Sequence, residues 1–382
     1  MQYFQLRYRI KQADRTRVTE RLLALRGSLE RMVPGMDADD HLLLATWNIR
    51  DFAKKNRRGF GERLPETHFY IAEVISAFDF VAVQEVNDLD EWERVMSILG
   101  PEWEYLATEV TDTSLGGNGE RLTYVWDKRK VRHQNIAGEL VLPNHLLISP
   151  AALAVPTDDD DELPPPPPGK QFRRSPFVAA FQSGWFKFDI CTVHIYFGDA
   201  SGSKLDERVQ EIRRVAEFFG DRADISMKSE GRSMILLGDF NIVSPEHKTM
   251  QALLSSGFRV PEALRRTTNT GDDKFYDQIA FKTHDRVLEF IERHADQPNE
   301  RNAGVFKPFN TVFKTGDRAE YDAAMLASSN GKKADDLDDY YGTWRTYQIS
   351  DHNVLWARLS VNQSDDYLKG LLEDSIPEPL VG

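Results

Sequence analysis

The sequence predicts an α/β fold in which β-sheets pack on one another with helices outside. Short apolar, β-rich runs recur along the chain, amphipathic helical stretches lie between several of them, and strand-dense stretches such as RLTYVWDKRKV (121–131) call for sheet-on-sheet packing. The 382 residues exceed the usual length of one domain but suit one large elaborated domain. A hydrophobic content of 41% and seven Trp suffice for a substantial core.

The elements follow in order. Residues 13–33 place Val18, Leu22, Leu25, Leu29 and Val33 at helical spacing, and Pro34-Gly35 stops the helix. This assigns residues 1–40 to an N-terminal helical extension. Strand-type runs then appear at HLLLATWNIR (41–50), FDFVAVQEV (78–86), FDICTVHIYF (188–197), SMILLGDFNI (233–242), YDQIAF (276–281) and NVLWARLSV (353–361). Helical patterns lie at 66–78, 90–99 and 205–223, the last with an apolar stripe of Val209, Ile212, Val215, Ala216 and Phe219. The main domain therefore spans 41–362.

Two segments interrupt it. TDDDDELPPPPPGK (157–170) joins like charges to a polyproline run, so it cannot bury a core and reads as an extended surface insertion. Residues 294–340 are polar and irregular and read as a second insertion. Residues 363–382 are expected to form a poorly ordered tail. No internal repeat is visible.

Cys191, the single cysteine, excludes an intramolecular disulfide and a thiolate metal cluster, and it suits a reducing compartment. The first residues lack a secretory h-region, and no run approaches the roughly 20 apolar residues of a membrane span. A soluble, cytoplasmic protein is expected. The net charge of −13 opposes a general attraction to nucleic acid, yet KKNRRGFGER (54–63) gathers five cations, so a local basic patch survives the global sign.

Most of the chemistry sits where apolar runs end. In ILLGDFNIVSP (235–245) a buried run closes on Asp239 and Asn241, which project the same way in an extended strand, while Gly238 admits another backbone or a phosphate. Taken alone, this is equally an Asx turn closing a strand. Asn48, Glu85, His194, Asp277, Asp351 and His352 stand at the ends or edges of other apolar runs. Singly, these read as a turn former, a helix cap or a satisfied core histidine; together, they favour one converging site. Carboxylate, amide and imidazole groups without cysteine select a hard divalent cation, Mg²⁺ with Mn²⁺ or Ca²⁺ as substitutes, over zinc. That donor set fits phosphoester hydrolysis, where an anionic centre needs a metal, hydrogen-bond donors and a base for water.

In this order TWNI, QEV, VHI, GDFN, YDQI and SDH resemble the signature of the endonuclease/exonuclease/phosphatase superfamily, nearest its deoxyribonuclease I-like branch, over residues 41 to about 361. The resemblance implies a four-layer α/β/β/α sandwich of two mixed sheets. It implies Glu85 as principal Mg²⁺ ligand with Asn48 and Asp351 on or near the ion, and His352 as general base oriented by Asp277. It further implies that Asp239 positions the water, and that Asn241 and His194 bind phosphoryl oxygens, with His194 a donor to the leaving oxygen. Arg174 in RSP resembles an Arg-x-Pro element that contacts substrate phosphate, and the alternative is a solvated strand-end arginine. Lys54 and Arg57, with Lys55 and Arg58, guide a polyanion or form an ordinary solvated loop. Tyr340, Tyr341, Trp344 and Tyr347 stack bases or, more in keeping with their type, pack in the core.

The sequence departs from the family in FYDQIAF, which disfavours the inositol-phosphatase branch, and in its acidic charge and insertions, which disfavour the abasic-site nucleases. The expected function is a metal-dependent phosphodiesterase acting on DNA as an endonuclease. The alternatives are a phosphatase or phosphodiesterase on a small or lipid-linked phosphoester, or, against the filled catalytic positions, a non-catalytic scaffold. No obligate protein partner is evident.

Overall fold

The apolar runs become strands of two mixed sheets, and the amphipathic stretches become helices on their outer faces. The computed structural model describes residues 1–35, 40–54, 59–110, 119–143, 147–148, 170–293, 301–328 and 336–374. The helices are α1 (Leu6–Arg9), α2 (Arg15–Met32), α3 (Pro65–Ile75), α4 (Leu89–Leu99), α5 (Gly202–Glu230), α6 (Lys248–Leu254), α7 (Asp285–Glu292), α8 (Asp322–Ala327), α9 (Leu337–Gln348) and α10 (Ser364–Asp374). The strands are β1 (His41–Phe52), β2 (Phe80–Val86), β3 (Trp103–Ala107), β4 (Arg121–Asp127), β5 (Arg132–Glu139), β6 (Phe177–Ser183), β7 (Phe186–His194), β8 (Arg232–Asp239), β9 (Asp277–Lys282), β10 (Ala303–Phe306) and β11 (Val354–Ser360).

One sheet has the order β10-β11-β1-β2-β4-β3 and the other β5-β6-β7-β8-β9. Each contains one parallel pair, β1 with β2 and β7 with β8, and its other pairings are antiparallel. The period of two decides which residues meet. Leu42, Leu44, Phe80 and Ala82 share a core with Phe181, Phe188 and Ile190 of the second sheet, whereas Leu43, Ala45, Trp47, Val81 and Val83 join the apolar faces of α2, α3 and α4. The Val209, Ile212 and Phe219 stripe of α5 covers the outer face of the second sheet. Central strands buried on both faces explain the near-continuous apolar runs. The expected four-layer α/β/β/α sandwich is the observed architecture.

Polar side chains pin the layers just beneath the strand ends. Gln84, in register with Asn48, donates to Thr192 Oγ1 of β7 at 2.9 Å and to Thr46 Oγ1 at 3.1 Å. All three are buried, so every unmade bond there would cost about 1–3 kcal/mol.

Several boundaries differ from the sequence expectation. Strand β8 stops at Asp239, three residues early, because the chain turns there. Helix α5 runs seven residues past 223 and ends on Gly231 in the left-handed region. Residues 301–328 and 336–340 are not irregular: β10 adds an edge strand, and Val312, Phe313, Tyr321 and Met325 are buried under the first sheet's helices. Short elements separated by polar turns hid that pattern. The segment expected to be a disordered tail carries α10. The acidic and polyproline stretch lies outside the described residues except for Lys170, which bridges Ile148. Among the described residues no helix is long and apolar enough to cross a membrane.

Candidate active site

Register builds the first half of the site. Strands β7, β8 and β9 end abreast, His194 facing Asp239 and Asp239 facing Asp277, so three polar groups form one row at the rim of the second sheet. Gly238 makes the approach possible: at φ 125°, a Cβ would stand 2.2 Å from Val193 O. The neighbour it admits is backbone. Across the sandwich, β1 and β2 deliver Asn48 and Glu85, and the turn before β11 delivers His352.

The two halves meet around Asp239. Its Oδ2 accepts from Asn48 Nδ2 at 3.1 Å and lies 3.6 Å from His194 Nε2 and 3.8 Å from His352 Nε2. Asn48 Nδ2 also reaches Glu85 Oε1 at 2.9 Å, while Glu85 Oε2 accepts the Asp51 N–H at 2.5 Å. One amide thus spans two carboxylates from different sheets. Glu85 and Asn241 hold φ of 66° and 52°, a conformation that costs a non-glycine residue about 1–3 kcal/mol and that clusters at functional sites.

Each imidazole is backed by its own acid. His352 Nδ1 bonds Asp277 Oδ2 at 2.7 Å, and Asp277 is fully buried. His194 Nδ1 lies 2.6 Å from Glu120 Oε1, and the Arg174 guanidinium meets that same oxygen. Fixing Nδ1 in this way aims each Nε2 at Asp239. Burial pushes the His352 imidazolium down, but Asp277 and Asp239 outweigh it, and its pKa stands well above the ordinary histidine value. Burial and then Arg174 lower that of His194, while Glu120 and Asp239 reverse the balance and raise it.

The supporting residues come from further away. Ser350 Oγ donates to Asn48 O at 2.6 Å and accepts the His352 N–H at 2.9 Å, and Trp47 Nε1 donates to His352 O at 3.0 Å. Arg208, fully buried on α5, donates to Asn241 O at 3.0 Å and to Asp199 O at 2.7 Å, and it also binds Phe197 O. It therefore clamps the turn after β7 to the turn after β8.

The structure brings Asn48, Glu85, His194, Asp239, Asp277 and His352 together, with Asn241 beside them. Asn241 does not share a strand face with Asp239, because the strand has already ended; its N–H bonds Asp239 Oδ1 and its amide bonds Ile195 O. Asp351 pairs with Arg50 Nη1 at 3.1 Å and stands near enough to add to the negative charge felt by Glu85 and His352. Lys54 pairs with Asp51 at 2.7 Å, and Arg57 lies outside the described residues. Arg174 reaches the site through Glu120 and through His194 O. Tyr341, Trp344 and Tyr347 are buried, and the Tyr347 ring carries the Arg50 guanidinium at 4.0 Å. Sequence reasoning missed Glu120, Arg50 and Arg208. Glu120 precedes an apolar run instead of ending one; Arg208 was visible as a charge inside the α5 stripe.

The donor set fits a hard cation. Glu85, Glu120 and His194 form one group of closely spaced ligand atoms, and Asp239, Asp277 and His352 form another. Burial raises the Glu85 carboxyl pKa, and Glu120, Asp51 and Asp351 raise it further against His194, so negative charge is crowded here.

No family model matches the chain. It is 28% identical over 212 residues to a deoxyribonuclease of Thioalkalivibrio sp. (strain K90mix), a match covering 54% of this chain and 47% of that protein. The match therefore spans about half the length of this curated relative. Among solved structures, the chain is similar to an endonuclease/exonuclease/phosphatase family protein of Bacteroides thetaiotaomicron, with 15% identity, a TM-score of 0.48 and coverage of 84% of this chain and 95% of the other. It is also similar to the human Nocturnin catalytic domain with bound sulfate, with 11% identity, a TM-score of 0.47 and coverage of 84% and 94%. A third is the 3′ phosphatase NExo of Neisseria bound to a product DNA hairpin, with 13% identity, a TM-score of 0.43 and coverage of 84% and 99%.

Proposed function

We infer that the chain belongs to the endonuclease/exonuclease/phosphatase superfamily and is a metal-dependent phosphodiesterase that cuts DNA as an endonuclease. One observation carries this reading: two imidazoles, each held by a buried acid, aim their Nε2 atoms at the same Asp239 oxygen beside Glu85. Hydrolysis of a diester needs one group to take a proton from water and another to return one to the leaving oxygen, on opposite sides of the phosphorus. The paired imidazoles meet that need.

In this mechanism His352 Nε2 accepts the proton of the attacking water, and Asp277 stabilises the resulting imidazolium at Nδ1. Asp239 orients that water. His194, kept protonated by Glu120, gives its Nε2 proton to the leaving oxygen. Asn241 and Arg174 bind phosphoryl oxygens, the guanidinium being suited to two-point contact. Glu85 and Asp239 would hold a divalent ion, Mg²⁺ in this reading, with Asn48 keeping the two carboxylates in register; when bound, the ion supplies Lewis-acid charge at the phosphoryl oxygens. The 28% identity with a deoxyribonuclease supports DNA as the substrate.

The test is hydrolysis of supercoiled plasmid and of bis-p-nitrophenyl phosphate with Mg²⁺ or Mn²⁺, beside EDTA controls. Nicked and linear plasmid forms with ion but not with EDTA support the proposal. An inert plasmid with turnover of the small diester overturns the nuclease assignment, and no turnover of either overturns the enzymatic one.

A further inference from the structure

A second charged recess lies behind the His352 side of the site. It encloses about 560 Å³ between α2, the 266–267 turn and the edge strand β10. Arg266, Arg301 and Lys307 line it with Ser28, Thr267 and Asn310, and among the described residues no carboxylate does. In a chain of net charge −13 that is a marked local inversion of sign. Lys307 is neutralised by Asp272 at 2.5 Å. The two arginines are not: among the described residues Arg266 Nε has only the Ala263 carbonyl, at 3.2 Å, and the buried Nε of Arg301 has no hydrogen-bond partner. Burial and then the charge of Arg266 both depress the Arg301 pKa, so the two guanidiniums repel each other across the recess. A like-charged pair with a buried unsatisfied donor is costly unless an anion completes it. Among the described residues the outer edge of β10 has no strand partner, and it adds main-chain groups to the wall.

The recess is coupled to the catalytic pair by short connections. Thr267 adjoins Thr268, whose hydroxyl accepts the Asp277 N–H at 3.0 Å and whose carbonyl accepts the Asn353 N–H at 2.6 Å. Phe306 stands opposite Val354, two residues past His352, and Arg301 lies two residues before Ala303, which stands opposite Ala357, so the recess runs from roughly 10 Å to roughly 20 Å from His352 by strand spacing. That is about three to six nucleotides along one strand of B-DNA at 3.4 Å each.

We propose that this recess is a second oxyanion site, built for a phosphate group gripped by Arg266 and Arg301, with Ser28, Thr267 and Asn310 as neutral donors. The phosphate comes either from the substrate strand beyond the scissile bond, in which case the proposal rests on the nuclease reading above, or from free phosphate acting on the Asp277–His352 pair through the 267–268 turn.

The experiment titrates inorganic phosphate calorimetrically into the metal-free full chain, comparing wild type with R266Q/R301Q and with the charge-conserving R301K. Wild type binds phosphate, the double variant loses about tenfold or more in affinity, the change expected of one lost charge-assisted bond, and R301K stays near wild type. Should R266Q/R301Q fail to fold, R266Q alone, at an exposed position, carries the comparison. Steady-state kinetics then distinguish the sources. A tenfold rise in KM for a ten-nucleotide single strand, with bis-p-nitrophenyl phosphate turnover unchanged, assigns the site to the substrate strand. An unchanged oligonucleotide KM, with loss of the effect of free phosphate on small-diester turnover, assigns it to the free anion. Equal phosphate affinity and stoichiometry in wild type and variant overturn the site. Failure of wild type to hydrolyse any diester would defeat the nuclease reading while leaving the phosphate titration to stand or fall by itself.

Discussion

Glu85→Gln separates a metal ligand from a structural carboxylate. The Glu85 carboxyl pKa is raised by burial and then by Glu120, Asp51 and Asp351, with His194 opposing. A raised carboxyl pKa means that folding disfavours the carboxylate, so the group withdraws stability at neutral pH and returns it as pH falls through the folded value. Gln removes the charge but keeps a single acceptor oxygen, for either the Asn48 amide or the Asp51 N–H, and sets its NH2 against the other donor. The lost bond costs about 1–3 kcal/mol and the relieved charge crowding offsets it, so metal-free E85Q unfolds within about 4 °C of wild type at pH 7. An ion at about 100 times its Kd stabilises the folded state by about 2.7 kcal/mol. With an unfolding entropy of about 2.1 cal/mol/K per residue, 382 residues give about 0.8 kcal/mol/K, so Mg²⁺ or Mn²⁺ raises the wild-type midpoint by about 3 °C. E85Q loses most of that rise. Differential scanning calorimetry in EDTA and in saturating ion measures both quantities. An equal ion-dependent rise in the two proteins refutes the reasoning.

Asp277→Asn removes the charge that stabilises the His352 imidazolium; kcat falls by about 10²–10⁴ with KM little changed. In the proposed mechanism His352 acts as a neutral base, and with its pKa raised the acid limb of the wild-type rate profile lies above the ordinary histidine value and moves to lower pH in D277N. Glu120→Gln acts on the opposite limb: His194 must stay protonated as the acid, so loss of the carboxylate draws the alkaline limb downward in a rate–pH series. Gly238→Ala forces a Cβ to within 2.2 Å of Val193 O at a positive φ, and urea unfolding should show a loss of about 3 kcal/mol or failure to fold. For oligonucleotide binding, removing both recess arginines lowers the slope of log K against log salt by about 1.4, at about 0.7 for each phosphate contact on a single strand.

The strand ends were legible because burial on both faces leaves each polar group isolated after an apolar run, as at Asn48, Glu85, His194 and Asp239. What pairs with them was not. Glu120 sits just ahead of β4, and only the antiparallel pairing of β4 with β2 brings that end toward the Glu85 end of β2, a fact of topology without any periodic signal. Asn241 shows the converse. Period-two reasoning gave it the face of Asp239, but φ 52° breaks the strand, and hydrogen bonds to Asp239 and Ile195 place it instead. The 294–340 stretch misled because β10, α8 and the start of α9 are too short for a hydrophobic period to emerge, although Val312, Phe313 and Met325 are as buried as any strand residue.

Charge ties these features together. A protein of net charge −13 cannot hold a polyanion by its general field, so attraction must come from local groups. Several cations nearest the catalytic groups are already committed: Arg50 to Asp351, Lys54 to Asp51 and Arg174 to Glu120. Such pairs orient side chains but add little net positive potential. Two features stand apart: the crowded carboxylates at Glu85, which call for a cation, and the recess arginines, which no carboxylate among the described residues meets and which call for an anion. A phosphodiester bridging from one to the other would satisfy both, with the Asp277–His352 pair between them. On this view the acidic surface works as selection, since a polyanion gains little by binding anywhere that does not present both features at once.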